Sequence, residues 1–263
     1  MNASGPRSAE RGELYELSAV HTGAVVFKSC NLAGLEQPEN LKNRGVDYYA
    51  AIARELVPRG KIVIASVVGA GGDEIVEVAR RLDCAGVKAI ELNLADDYVI
   101  SRIAPFASTT RLEKMVKRVR RETRAVLAVK LPPNLTLEPR AVVDILKSSG
   151  AAILVCANNL PKDLEVDPAS GIAKGPARDL SQVHAYYHAS AGALDIVAVG
   201  GVNGGRDAYI AHLTGAKGIQ IGSALIKEGA GALGRIDREL DAALADAGKA
   251  SVAEIVGKIR FEG

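Results

Sequence analysis

The sequence predicts an α/β protein of the (β/α)8 TIM-barrel class, and three observations carry that expectation. Short β-branched runs alternate with longer amphipathic ones along the whole 263-residue chain. The short runs are almost continuously apolar, as strands covered on both faces by helices must be, so the sheet is expected to be parallel. No linker, low-complexity tract or change of composition divides the chain. It therefore reads as one domain over residues 1–263, a length that α/β barrels reach as a single unit.

Taken in order, residues 1–5 (MNASG) precede a helical pattern at about 9–19 and are expected to form a truncated first strand. Strands are then predicted at 23–29, 61–69, 89–94, 125–132, 153–159, 195–202 and 218–225, with helices at about 46–56, 72–86, 110–123, 138–149, 179–190, 205–214 and 229–247. Residues 72–86 gather Ile75, Val76, Val78, Ala79 and Leu82 on one face. Asp73 and Glu74 sit where the positive end of the helix dipole favours acidic groups. Glu138-Pro139 opens a helix with an acidic residue and a proline, as first turns prefer. Seven strands alone would also serve an open doubly wound sheet. With MNASG counted, eight βα units close a barrel.

Composition excludes several functions. Hydrophobic residues make up 48% and charged residues 24%, and 33 basic against 31 acidic residues leave a net charge of +2. That balance gives no electrostatic footprint for nucleic acid or an anionic membrane surface. Cys30, Cys84 and Cys156 are scattered without CxxC or CxxH spacing, so neither a disulfide framework nor a metal site is expected. Cys84 and Cys156 read as small buried hydrophobes. No apolar run reaches membrane-spanning length, and no signal peptide follows Met1, so the expected setting is cytoplasmic.

Ligands of a parallel barrel meet the C-terminal ends of its strands. Those positions hold Lys28-Ser29, Ser66 to Gly69, Asn93 to Tyr98, Lys130, Asn158-Asn159, Gly200-Gly201 and Gly222-Ser223. The glycine pairs ending the last two predicted strands let backbone amides approach a phosphate closely, and the helix starts after them add positive dipole. Lysine is seldom buried without a partner, so Lys28 and Lys130 converging on one mouth suggest an anionic or reduced ligand. Asn93 and Asn158 supply orienting donors and acceptors. His21, His184, His188 and His212 all fall away from these positions, which disfavours a histidine-based triad.

At these residues the sequence resembles the dihydroorotate dehydrogenase family, the soluble fumarate-type class above all. MNASG, FKSCNL, NRGVDYY, IELNL, LAVKLPPNLT, VAVGGVNGGRDAY and GAKGIQIGSALIKEG follow one another in the family's order and spacing. The resemblance implies FMN as cofactor, a homodimer, and oxidation of dihydroorotate or a related dihydropyrimidine in pyrimidine metabolism. Hydride would leave C6 for the flavin while a base takes the C5 proton. Ala3, Ser4 and Ser29 would line the flavin, and Lys28 and Asn93 would contact both flavin and substrate. Lys130 would stabilise negative charge on the reduced ring. Gly200, Gly201, Gly222 and Ser223 would hold the phosphate, and Asn43, Asn158 and Asn159 would bind the pyrimidine.

The chain departs from the family pattern at chemically important places. Where the family reads ELNLSCPN, this chain reads Glu91-Leu92-Asn93-Leu94-Ala95-Asp96-Asp97-Tyr98. Asp96 therefore occupies the position of the catalytic base, Tyr98 replaces a substrate-binding asparagine, and Gln37 replaces another. The glycine-rich segment of the family is shortened to 171–175, and the stretch preceding MNASG in the family is absent. An aspartate with its ordinary pKa of about 3.9 is a weak base at neutral pH unless its surroundings raise it. Two other readings stay open on the residues alone. One is a flavin-free barrel lyase or isomerase that uses Lys28 or Lys130 as a Schiff-base amine on a phosphorylated substrate. The other is a non-catalytic flavin-binding relative.

Overall fold

The computed structural model describes residues 1–20, 23–36, 42–105, 108–133, 135–157, 165–167, 170–174 and 182–261. Ten strands are present among them: β1 (Val25–Val26), β2 (Val63–Val67), β3 (Ala89–Asn93), β4 (Val126–Leu131), β5 (Ile153–Ala157), β6 (Glu165–Val166), β7 (Ile172–Lys174), β8 (Asp195–Val199), β9 (Gly218–Gln220) and β10 (Arg260–Phe261). Seven pair in the order β1-β2-β3-β4-β5-β8-β9. Every neighbouring pair in that sheet is parallel.

The first three residues close the ring. Asn2 bridges Ile221 in parallel register, with the Ala3 amide donating to Ile221 at 2.8 Å and the Ile221 amide donating to Met1 at 3.0 Å. On the opposite side the Asn2 side chain replaces a strand's main chain. Its Nδ2 donates to the Val26 carbonyl at 2.6 Å, and its Oδ1 accepts from the Val26 amide at 2.9 Å. MNASG thus supplies the eighth stave, as expected from the sequence.

Helices clothe the outside: α1 (Arg11–Ala19), α2 (Val46–Leu56), α3 (Gly72–Cys84), α4 (Asp97–Ile103), α5 (Thr109–Glu122), α6 (Pro139–Ser148), α7 (Gln182–Ser190), α8 (Gly205–Leu213), α9 (Ser223–Glu228) and α10 (Gly231–Asp246). Alternation along each strand sorts the side chains. Ile90 and Leu92 of β3, and Leu127, Val129 and Leu131 of β4, join the core between sheet and helices. Ala128, Val155, Val197 and Val199 form a separate apolar cluster, against which Ala3 and Ala95 pack. Helix α3 buries Ile75, Val78, Ala79 and Leu82, with acidic residues in its first turn and Arg81 in its last, which offsets its dipole at both ends.

Several expectations need correction. The predicted strand at 218–225 ends at Gln220, because the chain turns at Gly222 and Ser223 opens α9. Ala224 and Leu225 are buried as helix residues, so their apolar character, which suggested a strand, serves helix packing. The predicted helix at 229–247 begins later: Gly229 adopts φ +73 and ends α9, and α10 starts at Gly231. The strand at 195–202 stops at Val199, where Gly200 and Gly201 take positive φ. Helix α4 was not expected, and neither was the small sheet in which β7 pairs with β6 and β10. The shortened 171–175 segment supplies β7. Cys84 is exposed rather than buried, whereas Cys156 is buried. His212 is a packing residue, its Nδ1 2.7 Å from the Ala216 carbonyl. No helix among the described residues is long and apolar enough to cross a membrane.

Candidate functional site

Strand period places Glu91 and Asn93 of β3, Lys130 of β4 and Gln220 of β9 on the face opposite the helix-packed residues. All four are buried, Glu91 completely. Glu91 is the hub. Its Oε1 accepts from Ser66 Oγ at 3.0 Å and Ser4 Oγ at 3.2 Å, and lies 3.5 Å from Lys130 Nζ. Its Oε2 accepts from Gln220 Nε2 at 2.6 Å. Lys130 also donates to Ser4 Oγ at 3.3 Å and to Gln220 Oε1 at 3.4 Å. A buried ammonium is thus matched by a buried carboxylate and two neutral acceptors, the condition under which such a charge is tolerated.

A second chain of bonds runs outward from this hub. Ser29 and Ser66 hydroxyls meet at 2.9 Å, and Asn93 Nδ2 donates to Ser29 Oγ at 2.9 Å. Asn93 Oδ1 is left buried with no hydrogen-bond partner. Lys28 is 5% exposed. Burial pulls its pKa below the ordinary lysine value, the carboxylate of Asp96 partly offsets that, and the charge of Lys130 adds to it. Lys28 therefore lies within the field of both Asp96 and Lys130. Asp96 stands in the turn after β3, where its carbonyl accepts from the amides of Val99 and Ile100, both at 2.9 Å. Beside it, Ala95 packs on the inward cluster with Ala3 and Val199, giving the mouth an apolar wall.

The two glycine turns are neighbours. Val199 and Gln220 are register partners, so Gly200-Gly201 and Gly222-Ser223 leave adjacent strands at one end of the barrel. Gly200 and Gly201 adopt φ +94 and +80, a backbone conformation that glycine takes without steric cost and that keeps side chains off the turn. The helix start beyond them is not available, contrary to expectation. Asp207 accepts from the amides of Asn203 and Gly204 at 2.8 and 3.2 Å, and Glu239 accepts from Gly205 at 2.8 Å. Arg235 links the loop after β8 to the end of α9. It donates to the Asn203 carbonyl after β8 at 3.0 Å and to both Glu228 oxygens at the end of α9, at 2.7 and 2.8 Å.

Cavities of about 710 and 430 Å³ open beside Gly192 and Gly218, at the opposite ends of β8 and β9, and one of about 780 Å³ opens beside Cys84 and Val126. None of them borders Lys28 or Lys130.

A family model described as dihydroorotate dehydrogenase matches residues 38–244. The chain belongs to the dihydroorotate dehydrogenase family. Dihydroorotate dehydrogenase A (fumarate) of Lactococcus lactis subsp. cremoris is 28% identical over 295 aligned residues, covering 99% of this chain and 94% of that one. Dihydroorotate dehydrogenase of Eimeria tenella, solved ligand-free, superposes with a TM-score of 0.77 at 17% identity, over 95% of this chain and 86% of that chain. The same enzyme in complex with ferulenol gives 0.73 over 96% and 82%, also at 17% identity. These likenesses identify the fold as the TIM barrel.

Within this barrel, Ser4 lies beside Lys130, Ser29 beside Asn93, and Lys28 within reach of the Lys130 charge. Ala3 lies against Gly222, 3.8 Å from where a β-carbon on that glycine would sit. Ser223 is exposed at the start of α9. Asn43 is buried and committed in part to its own loop. Its backbone pairs with Leu35, and its Oδ1 accepts from the Gly45 amide at 3.1 Å. Asn158, Asn159, Gln37 and His21 lie outside the described residues. Glu91 and Gln220 escaped the sequence reading although each is a polar residue in an apolar strand run. Glu91 stands two residues before Asn93 and hence on the same face, which was the available signal.

Proposed function

We propose that the chain is an FMN-dependent oxidoreductase that oxidises a dihydropyrimidine, dihydroorotate or a relative of it, at the CH–CH bond. The observation that carries this reading is the pairing of two buried inward lysines with an unpartnered acceptor, Asn93 Oδ1, at the end of the barrel from which two adjacent glycine turns leave. The residues fit the group: an apolar wall at Ala3, Ala95 and Val199 suits a planar ring, and glycines without side chains let a phosphate approach the backbone closely.

FMN, when bound, supplies a two-electron acceptor for hydride. Lys130 presents positive charge where the reduced ring accumulates negative charge, held in place by Glu91, Ser4 and Gln220. Asn93 orients the bound rings through its free oxygen. Lys28 brings a second positive charge to the mouth, facing Asp96. Asp96 is the candidate base that receives the proton from the carbon next to the ring carbonyl. Gly200, Gly201, Gly222 and Ser223 hold the phosphate, and Asn43, Asn158 and Asn159 complete the pyrimidine side. A homodimer in the cytoplasm goes with this reading, and size-exclusion chromatography tests the assembly.

The visible spectrum of the purified chain, reconstituted with FMN and then treated anaerobically with dihydropyrimidines, is the deciding measurement. Bleaching of the bound flavin supports the reading; a chain that takes up no FMN, or a bound flavin that no dihydropyrimidine reduces, ends it. A Schiff-base lyase reading is left with Lys28, whose depressed pKa suits an amine nucleophile. Borohydride trapping on a carbonyl substrate would identify it.

A further inference from the structure

Hydrogen-bond direction in the site is fixed from below. A carboxylate only accepts, so Ser66 must donate its one hydroxyl proton to Glu91 Oε1 at 3.0 Å. Ser66 can then only accept from Ser29 at 2.9 Å, which commits the Ser29 proton. Ser29 in turn accepts from Asn93 Nδ2 at 2.9 Å. Three bonds deep, Glu91 thus dictates that Asn93 turns its oxygen, not its nitrogen, to the empty side. That oxygen is buried and has no partner. A buried acceptor is satisfied by a donor, so a ring carbonyl brought there is repelled and a ring N–H is bound.

Charge gives the second constraint. Among the described side chains of the site, Lys28 and Lys130 stand against Glu91 and Asp96, two cations against two anions. A ligand carboxylate would be a third anion set against those two cations. Burying a charge without a partner is costly.

Resting on the reading that FMN and a second ring share this site, we infer that the second ring is an uncharged cyclic amide, recognised by its N–H at Asn93 Oδ1. Ser29 and Ser66 are positioning residues that set the polarity of this contact, and Asp96 selects against a carboxylate on the ring.

The test titrates the FMN-loaded full chain with uracil, orotate and 1,3-dimethyluracil at neutral pH, following the flavin spectrum and the heat of binding. Uracil is expected to bind at least about tenfold more tightly than either other ring, as a site built to bond an N–H rejects analogues that lack it. Asp96→Asn brings orotate to within about threefold of uracil by removing the third anion's repulsion. Ser66→Ala frees the relay, lets the Asn93 amide turn over, and shrinks the discrimination against dimethyluracil to less than about threefold. Far-UV circular dichroism and the retained flavin spectrum establish that each variant is folded. Should Asp96→Asn fail that check, Asp96→Ser replaces it.

The FMN dissociation constant, measured in the same variants, separates two sources of the N–H. A loss that falls on FMN rather than on uracil assigns the bond to the flavin imide and overturns the inference. It is also overturned if orotate or dimethyluracil binds the unaltered chain as tightly as uracil, or if none of the three binds. A chain that holds no FMN defeats the underlying reading instead.

Discussion

Lys130 Nζ stands 3.5 Å from Oε1 of Glu91, and the carboxylate has no exposed surface. Removing one member of such a pair leaves the other charge buried and unmatched. Glu91→Ala is therefore expected to destabilise the chain by ~3–5 kcal/mol, read from urea unfolding. Glu91→Gln, which keeps hydrogen-bonding atoms in place, costs less. An unchanged midpoint in Glu91→Ala would mean that Lys130 has another partner.

The same lysine should tune the cofactor. Lys130→Met removes positive charge from beside the ring, which disfavours the reduced form. The midpoint potential of the bound FMN is expected to fall by about 30 mV or more, the two-electron equivalent of ~1.4 kcal/mol. Spectroelectrochemistry checks it, and a potential that stays put would place Lys130 away from the ring.

Lys28 gives a pH signature. Burial lowers its folded pKa below the ordinary 10.5. Between that depressed value and 10.5 the unfolded chain binds the extra proton, so stability rises with pH across the window. Below the folded value the penalty for burying the charge is present in full. Urea midpoints measured from neutral to alkaline pH should show this rise in the unaltered chain and lose it in Lys28→Met. Parallel profiles in the two proteins would contradict the assignment.

At the phosphate end, Gly201 adopts φ +80. Gly201→Ala forces a side chain into that region at a cost of about 1–2 kcal/mol. Affinity for FMN should drop more than affinity for riboflavin, which lacks the phosphate. Equal losses for both, by fluorescence titration, would argue that the turn does not hold the phosphate.

The seam of the barrel offers a stability test. Asn2→Ala leaves the amide and carbonyl of Val26 without partners. At 1–3 kcal/mol per unsatisfied buried group, the expected loss is ~2–6 kcal/mol. Hydrogen exchange at the Val26 amide should accelerate in step. Native-like protection of that amide would show that another group takes over.

Much of this was legible in the sequence, for a physical reason. Barrel strands are covered on both faces, so runs such as IVIASVV and VLAVKL announce themselves, and the amphipathic helices between them have a clear apolar side. Boundaries failed where one glycine decides the matter: no periodicity tells that Gly229 breaks a helix while Gly231 starts one. The site was legible where a strand end carried an unusual residue, as at Lys28 and Lys130. Glu91 and Gln220 stayed hidden because their roles depend on register between distant strands, and only the closed ring brings β9 across to β3. Helix α4 and the sheet of β6, β7 and β10 are too short to show a period.

One guanidinium, that of Arg235, bonds the Asn203 carbonyl beyond the first glycine turn and Glu228 at the far end of the helix that the second turn opens. The loop after β8 and the C-terminal end of α9 thus share one anchor on α10, so a displacement of that helix would be felt at both.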